Sequence, residues 1–194
     1  MAESVIRVFN GGLKVQPPLS LYIHLPWCVR KCPYCDFNSH AAQSLPEAAY
    51  IDALMLDLER ALPDIWGRKI HTVFFGGGTP SLFSAEGIDR ILTGVRTLTQ
   101  LMPGAEITLE ANPGTAEAER FAAYREAGVN RLSLGIQSFD DGHLLALGRI
   151  HNAGEARRAI EIAQREFELR RCGQDRAQYQ VTAATNVEPL ITVF

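Results

Sequence analysis

Three of the four cysteines, Cys28, Cys32 and Cys35, fall within one run, LSLYIHLPWCVRKCPYCDFNS. At C-x3-C-x2-C spacing on one short loop, three sulfurs can turn inward on a single compact soft metal centre. The spacing departs from the C-x2-C-x2-C-x3-C run of bacterial ferredoxins, which brings a fourth thiolate. A cubane cluster held by three thiolates leaves one iron open to a further ligand, and chemistry can occur at that opening. Two plainer readings compete. A disulfide with a spare thiol belongs with secreted chains. A zinc site completed by His24 or His40 is the other, but zinc sites usually add a second ligand pair far downstream. His71, His143 and His151 form no such pair, so a cluster leads.

The loop needs a frame. Residues 19–25 read as an apolar strand leading into it, and Pro26 and Pro33 stiffen it. Ser44 and Glu47 have capping-box spacing, with Pro46 at an early helical position. The following helix carries an apolar stripe at Ile51, Leu54, Leu58 and Leu62. Further strands are expected at 70–75, 106–111 and 131–136. Helices are expected from Ser84 to about residue 101, up to about Gly128, and over 140–147 and 153–167. Mostly apolar strands alternating with helices predict an α/β fold with a parallel sheet. The cysteines, Gly76-Gly77-Gly78, Glu110 and Gln137 each follow a strand, so a parallel barrel puts them on one rim, where ligands bind.

Those rim residues suit a small-molecule site. Three consecutive glycines cost roughly 0.5–1 kcal/mol each in backbone entropy, and close approach of a ligand to the main chain is the usual reason to accept that. Glu110 ends the strand ITLEA, and Gln137 offers both a donor and an acceptor. Composition sets the outer bounds. With 194 residues, 46% hydrophobic and 21% charged, this is one domain's worth of globular chain. A net charge of −3 argues against a nucleic-acid or anionic-membrane surface. No apolar run approaches the ~20 residues of a membrane span, and the N-terminus does not read as a signal peptide. A reducing, cytoplasmic setting is expected.

With Tyr34 in its aromatic slot, the array resembles the radical S-adenosylmethionine (radical SAM) signature. YIHLPWCVRKCPYCDFNS is similar to the family of HemW haem chaperones and oxygen-independent coproporphyrinogen III oxidases. The resemblance runs from about residue 19 to about residue 165. It implies a partial parallel (βα) barrel and a [4Fe-4S] cluster on Cys28, Cys32 and Cys35, with S-adenosyl-L-methionine at the open iron. It further implies cofactor contacts from Tyr22, Tyr34, Gly77, Gly78, Thr79, Glu110, Gln137 and Arg149. The implied chemistry is reductive cleavage to methionine and a 5′-deoxyadenosyl radical, with no side chain needed as general acid or base. Implied partners are haem or a porphyrin, an electron donor such as flavodoxin or ferredoxin, and a haem-acceptor protein.

Between chaperone and oxidase, two features favour the chaperone. The oxidases carry a fourth cysteine two residues after the third, where this chain has Phe37, and a longer N-terminal extension. The organisation expected is a leader over 1–18, a radical SAM core over 19–167 and a divergent tail over 168–194. That tail is expected to lack the family's next strand, its aspartate cofactor contact and the C-terminal domain with its haem-ligating motif. The strand at 131–136 is therefore expected at an open sheet edge, with 190–194 a weak candidate to cover it. Cys172 lies in the tail and has no assigned role.

Overall fold

The computed structural model of the protein describes residues 17–114 and 118–168, and the backbone of residues 178–183. Residues 1–16 of the expected leader, Cys172 and the 190–194 run lie outside the described residues.

Strand alternation organises the molecule. Leu19–Leu25 (β1) leads through Trp27–Cys28 (β2) and His40–Ala41 (β3) to the helix Glu47–Ile65 (α1). Lys69–Gly77 (β4), Ala85–Leu98 (α2), Gln100–Ala111 (β5) and Phe121–Ala127 (α3) follow. Arg131–Gln137 (β6), Asp141–Ala146 (α4), Ala153–Glu168 (α5) and Gln178–Ala183 (β7) complete the series. The main sheet runs β1-β4-β5-β6-β7, and every neighbouring pair is parallel. Ile23, Leu25, Val73, Phe75, Leu109 and Leu134 are buried with Ile88, Ile91, Leu92 and Val95 of α2 and with Phe121 and Tyr124 of α3. α1 packs on α2, α2 on α3, and α3 on α5. Because side chains alternate along a strand, the intervening residues form the opposite face. Tyr22 pairs with Phe74, Phe74 with Thr108, and Thr108 with Arg131. One step further along, His24 pairs with Gly76, and Glu110 with Ser133. The second face is the polar one.

Three local expectations are corrected. Residues 131–136 are not an edge, because β7 pairs with β6 from Arg131↔Gln178 to Leu134↔Val181. QYQVTA holds the strand formers Tyr, Val and Thr, but its glutamines dilute the apolar signal that marks the other strands. Glu47 makes no capping box: Pro46 is the N-cap of α1 and makes no side-chain cap bond. The Glu47 carboxylate instead accepts from the Ser84 backbone N–H at 2.9 Å and from the Ser84 hydroxyl. That hydroxyl oxygen in turn accepts from Gly87 N and caps α2. Lastly, α2 stops at Leu98 and β5 begins at Gln100, so that Gln100 and Leu101 pair with Lys69 and Ile70.

Candidate metal and cofactor site

The cysteine loop is tied to the sheet at both ends. His40 N donates to Pro26 O at 2.7 Å and Ala42 N to Cys28 O at 3.1 Å, so residues 29–39 close on their own stem. Inside the loop, Cys35 N donates to Cys32 O at 3.0 Å, and Lys31 Nζ to Phe37 O at 3.1 Å and Ser39 O at 3.3 Å. His24 secures the exit. Its Nε2 lies 2.8 Å from Asn38 O, and a carbonyl only accepts, so Nε2 carries the proton. Nδ1 then accepts from the Tyr22 hydroxyl at 3.0 Å. Both ring nitrogens are engaged, and His40 is exposed on β3, which removes support for either as a zinc ligand.

Cys28, Cys32 and Cys35 are free thiols, Cys28 buried and the other two half-buried. Among the described residues, no three His, Cys, Asp or Glu side chains gather where one metal ion would sit. A cubane makes a different demand, since each sulfur takes its own iron. Three unpaired thiols on one braced loop beside a polar sheet face fit such a cluster. These cysteines would hold it, with one iron left for a second ligand.

The glycine segment lies against the loop's base. Gly78 N donates to Leu25 O at 2.9 Å and Thr79 N to Trp27 O at 2.7 Å. A Cβ on Gly78 would fall 2.5 Å from Trp27 O and 2.8 Å from Pro26 C. Gly77 has φ +118°, and a Cβ there would fall 2.8 Å from the His24 ring. At these two glycines the protein's own main chain and His24 come close. Gly76 differs: its missing Cβ would meet Phe74, Tyr22 and, at 3.2 Å, Glu110 Oε2. Tyr22, Phe74, Gly76 and Glu110 therefore line one patch of the polar face. Burial raises the Glu110 carboxyl above its ordinary pKa, partly offset by a bond from the Gly77 backbone. Burial, then the neighbouring Glu110 and Tyr50, raises the Tyr22 hydroxyl, which stays a donor.

Arg149 reaches furthest across the rim. Its Nη2 donates to Asn112 Oδ1 at 2.6 Å and Gly135 O at 2.9 Å, and its Nη1 to Cys32 Sγ at 3.4 Å. Tyr34, 49% exposed, lies beside Cys32 and Arg149. Burial raises its hydroxyl, and the Arg149 charge pulls the other way. Gln137 ends β6 at φ +65°. Ser138 N donates to Ile136 O at 2.8 Å around it, making a γ-turn of the strained kind. Strain in a non-glycine residue at a strand end is a recurrent mark of functional sites. The structure puts Gly77, Gly78, Thr79, Glu110 and Gln137 at the ends of β4, β5 and β6, with Tyr22 within β1, Tyr34 on the cysteine loop and Arg149 in the turn after α4. Asn112 and Gly135 were missed, and His24 was weighed only as a zinc ligand. His24 alone had a local signal, sharing Tyr22's face of β1.

Comparison with known proteins agrees with this geometry. The model of the radical SAM superfamily matches residues 22–172. The chain belongs to the radical SAM superfamily. Among curated radical SAM relatives, heme chaperone HemW of Haemophilus influenzae is 58% identical over 153 residues, which are 76% of this chain and 40% of that protein. Heme chaperone HemW of Escherichia coli is 55% identical over 148 residues, 76% of this chain and 39% of its own length. The chain therefore spans about 40% of the length of the curated relatives it matches. The solved radical SAM enzyme coproporphyrinogen III oxidase (HemN) from Escherichia coli superposes with a TM-score of 0.70 at 30% identity. That match covers 76% of this chain and 34% of HemN. No helix among the described residues is long and apolar enough to cross a membrane.

Proposed function

We propose that this chain is the cluster- and S-adenosylmethionine-binding part of a haem chaperone of the HemW type. The observation that carries the reading is the three free thiols on one braced loop, in a chain 58% identical to a heme chaperone HemW. When bound, the cluster and S-adenosylmethionine supply one-electron chemistry, and the protein supplies position and shelter from water. Cys28, Cys32 and Cys35 hold the cluster. Tyr22, Thr79, Glu110, Gln137 and Arg149 present donors and acceptors to the cofactor, with Tyr34 beside the loop. Gly77 and Gly78 contribute by letting His24 and the loop's base lie close. The partners would be haem or a porphyrin, a flavodoxin- or ferredoxin-like electron donor and a haem-acceptor protein, in a reducing cytoplasm.

The oxidase is the second reading, supported by the superposition on HemN. Phe37, 65% exposed, stands where the oxidases have a fourth cysteine, and the higher identity to HemW favours the chaperone. The deciding experiment reconstitutes the cluster without oxygen and titrates haem in an assay alongside coproporphyrinogen. Haem binding and transfer to an apo-haemoprotein, without decarboxylation, is expected. Decarboxylation of coproporphyrinogen would move the reading to the oxidase.

A further inference from the structure

The segment after β4 and the turn after α4 meet at one side chain that sequence reading passed over. Asn112 follows β5, and its Oδ1 accepts from Arg149 Nη2 at 2.6 Å. Arginine only donates, so the orientation of the amide is fixed and its Nδ2 is the group facing Thr79 Oγ1 at 3.2 Å. From Arg149 the path continues to Cys32 Sγ at 3.4 Å, on the loop after β1. From Thr79 it returns through the backbone bond to Trp27 O, next to Cys28. The bonds close a ring through the cysteine loop, the segments after β4 and β5, and the turn after α4. Arg149 also leans on Gly135 O at 2.9 Å, while its Nε is buried without a partner. Thr79 is buried, and Asn112 and Arg149 are half-buried, so water competes weakly for these bonds.

From this ring we infer that Asn112 is a positioning residue that couples the cysteine loop to the Thr79 segment. A ligand seated on either side is then felt at the other. Asparagine suits the position because one short side chain must both accept from Arg149 and donate to Thr79. Aspartate keeps only the first bond, and leucine keeps neither. The inference deepens the proposed function and takes its two ligands, the cluster and S-adenosylmethionine, from it.

The test uses the full chain with an anaerobically reconstituted cluster, comparing variants at equal iron content. S-adenosylmethionine is titrated and read as the change it causes in the electron paramagnetic resonance of the reduced cluster. Asn112→Leu is expected to raise the half-saturating concentration about tenfold, a typical coupling between sites. Asn112→Asp is expected to fall between it and the wild type, and serves if the leucine variant folds poorly. Combining Asn112→Leu with Arg149→Met should cost no more than the worse single change, because both cut one path. Strictly additive losses, or a wild-type response in Asn112→Leu, would overturn the coupling. If the wild-type chain takes up no cluster, the proposed function fails by itself. The same double-mutant cycle, read on the unfolding midpoint of the metal-free chain, then decides the ring: non-additive shifts keep it and additive shifts remove it.

Discussion

The Cβ that Gly78 lacks would fall 2.5 Å from the carbonyl oxygen of Trp27, the residue before the first loop cysteine. The glycine segment and the cysteine loop are thus built against each other. A side chain at Gly78 must push on the backbone of the loop's base before it meets any ligand. Gly78→Val is expected to destabilise the fold by about 1–3 kcal/mol, as overpacking does, and to reduce iron loading as well as S-adenosylmethionine binding. Iron analysis and chemical unfolding of the same preparations check this. Full iron loading with only ligand binding lost would place a ligand, and not Trp27, against Gly78.

Metal content follows from the three free thiols. Replacing Cys28, Cys32 or Cys35 by alanine should abolish the cluster's visible absorbance after anaerobic reconstitution, and Cys172→Ala should preserve it. Stoichiometric zinc without iron in protein purified under nitrogen would contradict the assignment.

Glu110 gives a pH signature. Burial raises its carboxyl above the ordinary value of 4.5, so between that value and the raised one the folded chain holds the proton more tightly than the unfolded chain. Stability linked to this group is full below pH 4.5 and declines as pH climbs through the raised value. Glu110→Gln should therefore raise the unfolding midpoint at pH 7 and leave it nearly unchanged at pH 4. Scanning both proteins across that range tests the sign, and a midpoint gain confined to acid would reverse it.

A fold prediction rests on Tyr124. Its buried hydroxyl donates to Ser81 O at 2.7 Å and Phe83 O at 2.8 Å, pinning the turn after the glycine segment to α3. Tyr124→Phe removes the donor; Ser81 O keeps Arg120 Nη1 at 3.2 Å, while Phe83 O loses the bond. A loss of about 1–3 kcal/mol is expected, measured by denaturant unfolding, and a shift under half a kcal/mol would show that water replaces the bond.

What could be read from sequence was what is local or periodic. The cysteine spacing lies within a few residues, and strand periodicity was enough to put Glu110 and Gln137 on one rim. The Asn112–Arg149 bond joins residues 37 apart, and only the register of β5 against β6 brings them together. Glu47 shows the opposite failure: a valid local motif, Ser44 with Glu47, lost to a distant partner, Ser84. The strand β7 escaped notice because its glutamines hide the apolar pattern. At glycines 77 and 78 the entropy cost says that something comes close but not what, and the distant neighbours Trp27 and His24 are not legible from it.

The bond from Arg149 to Cys32 spans 117 residues of chain. At about 5–20 residues per second of ribosomal synthesis, the thiols emerge roughly 6–23 seconds before the arginine that braces one of them. β4, β5 and β6 are made during that interval, so the nascent loop gains its base and rim only stepwise. Iron delivered then would meet three unanchored sulfurs open to oxidation. The brace on Cys32 is thereby complete only once residue 149 has been made.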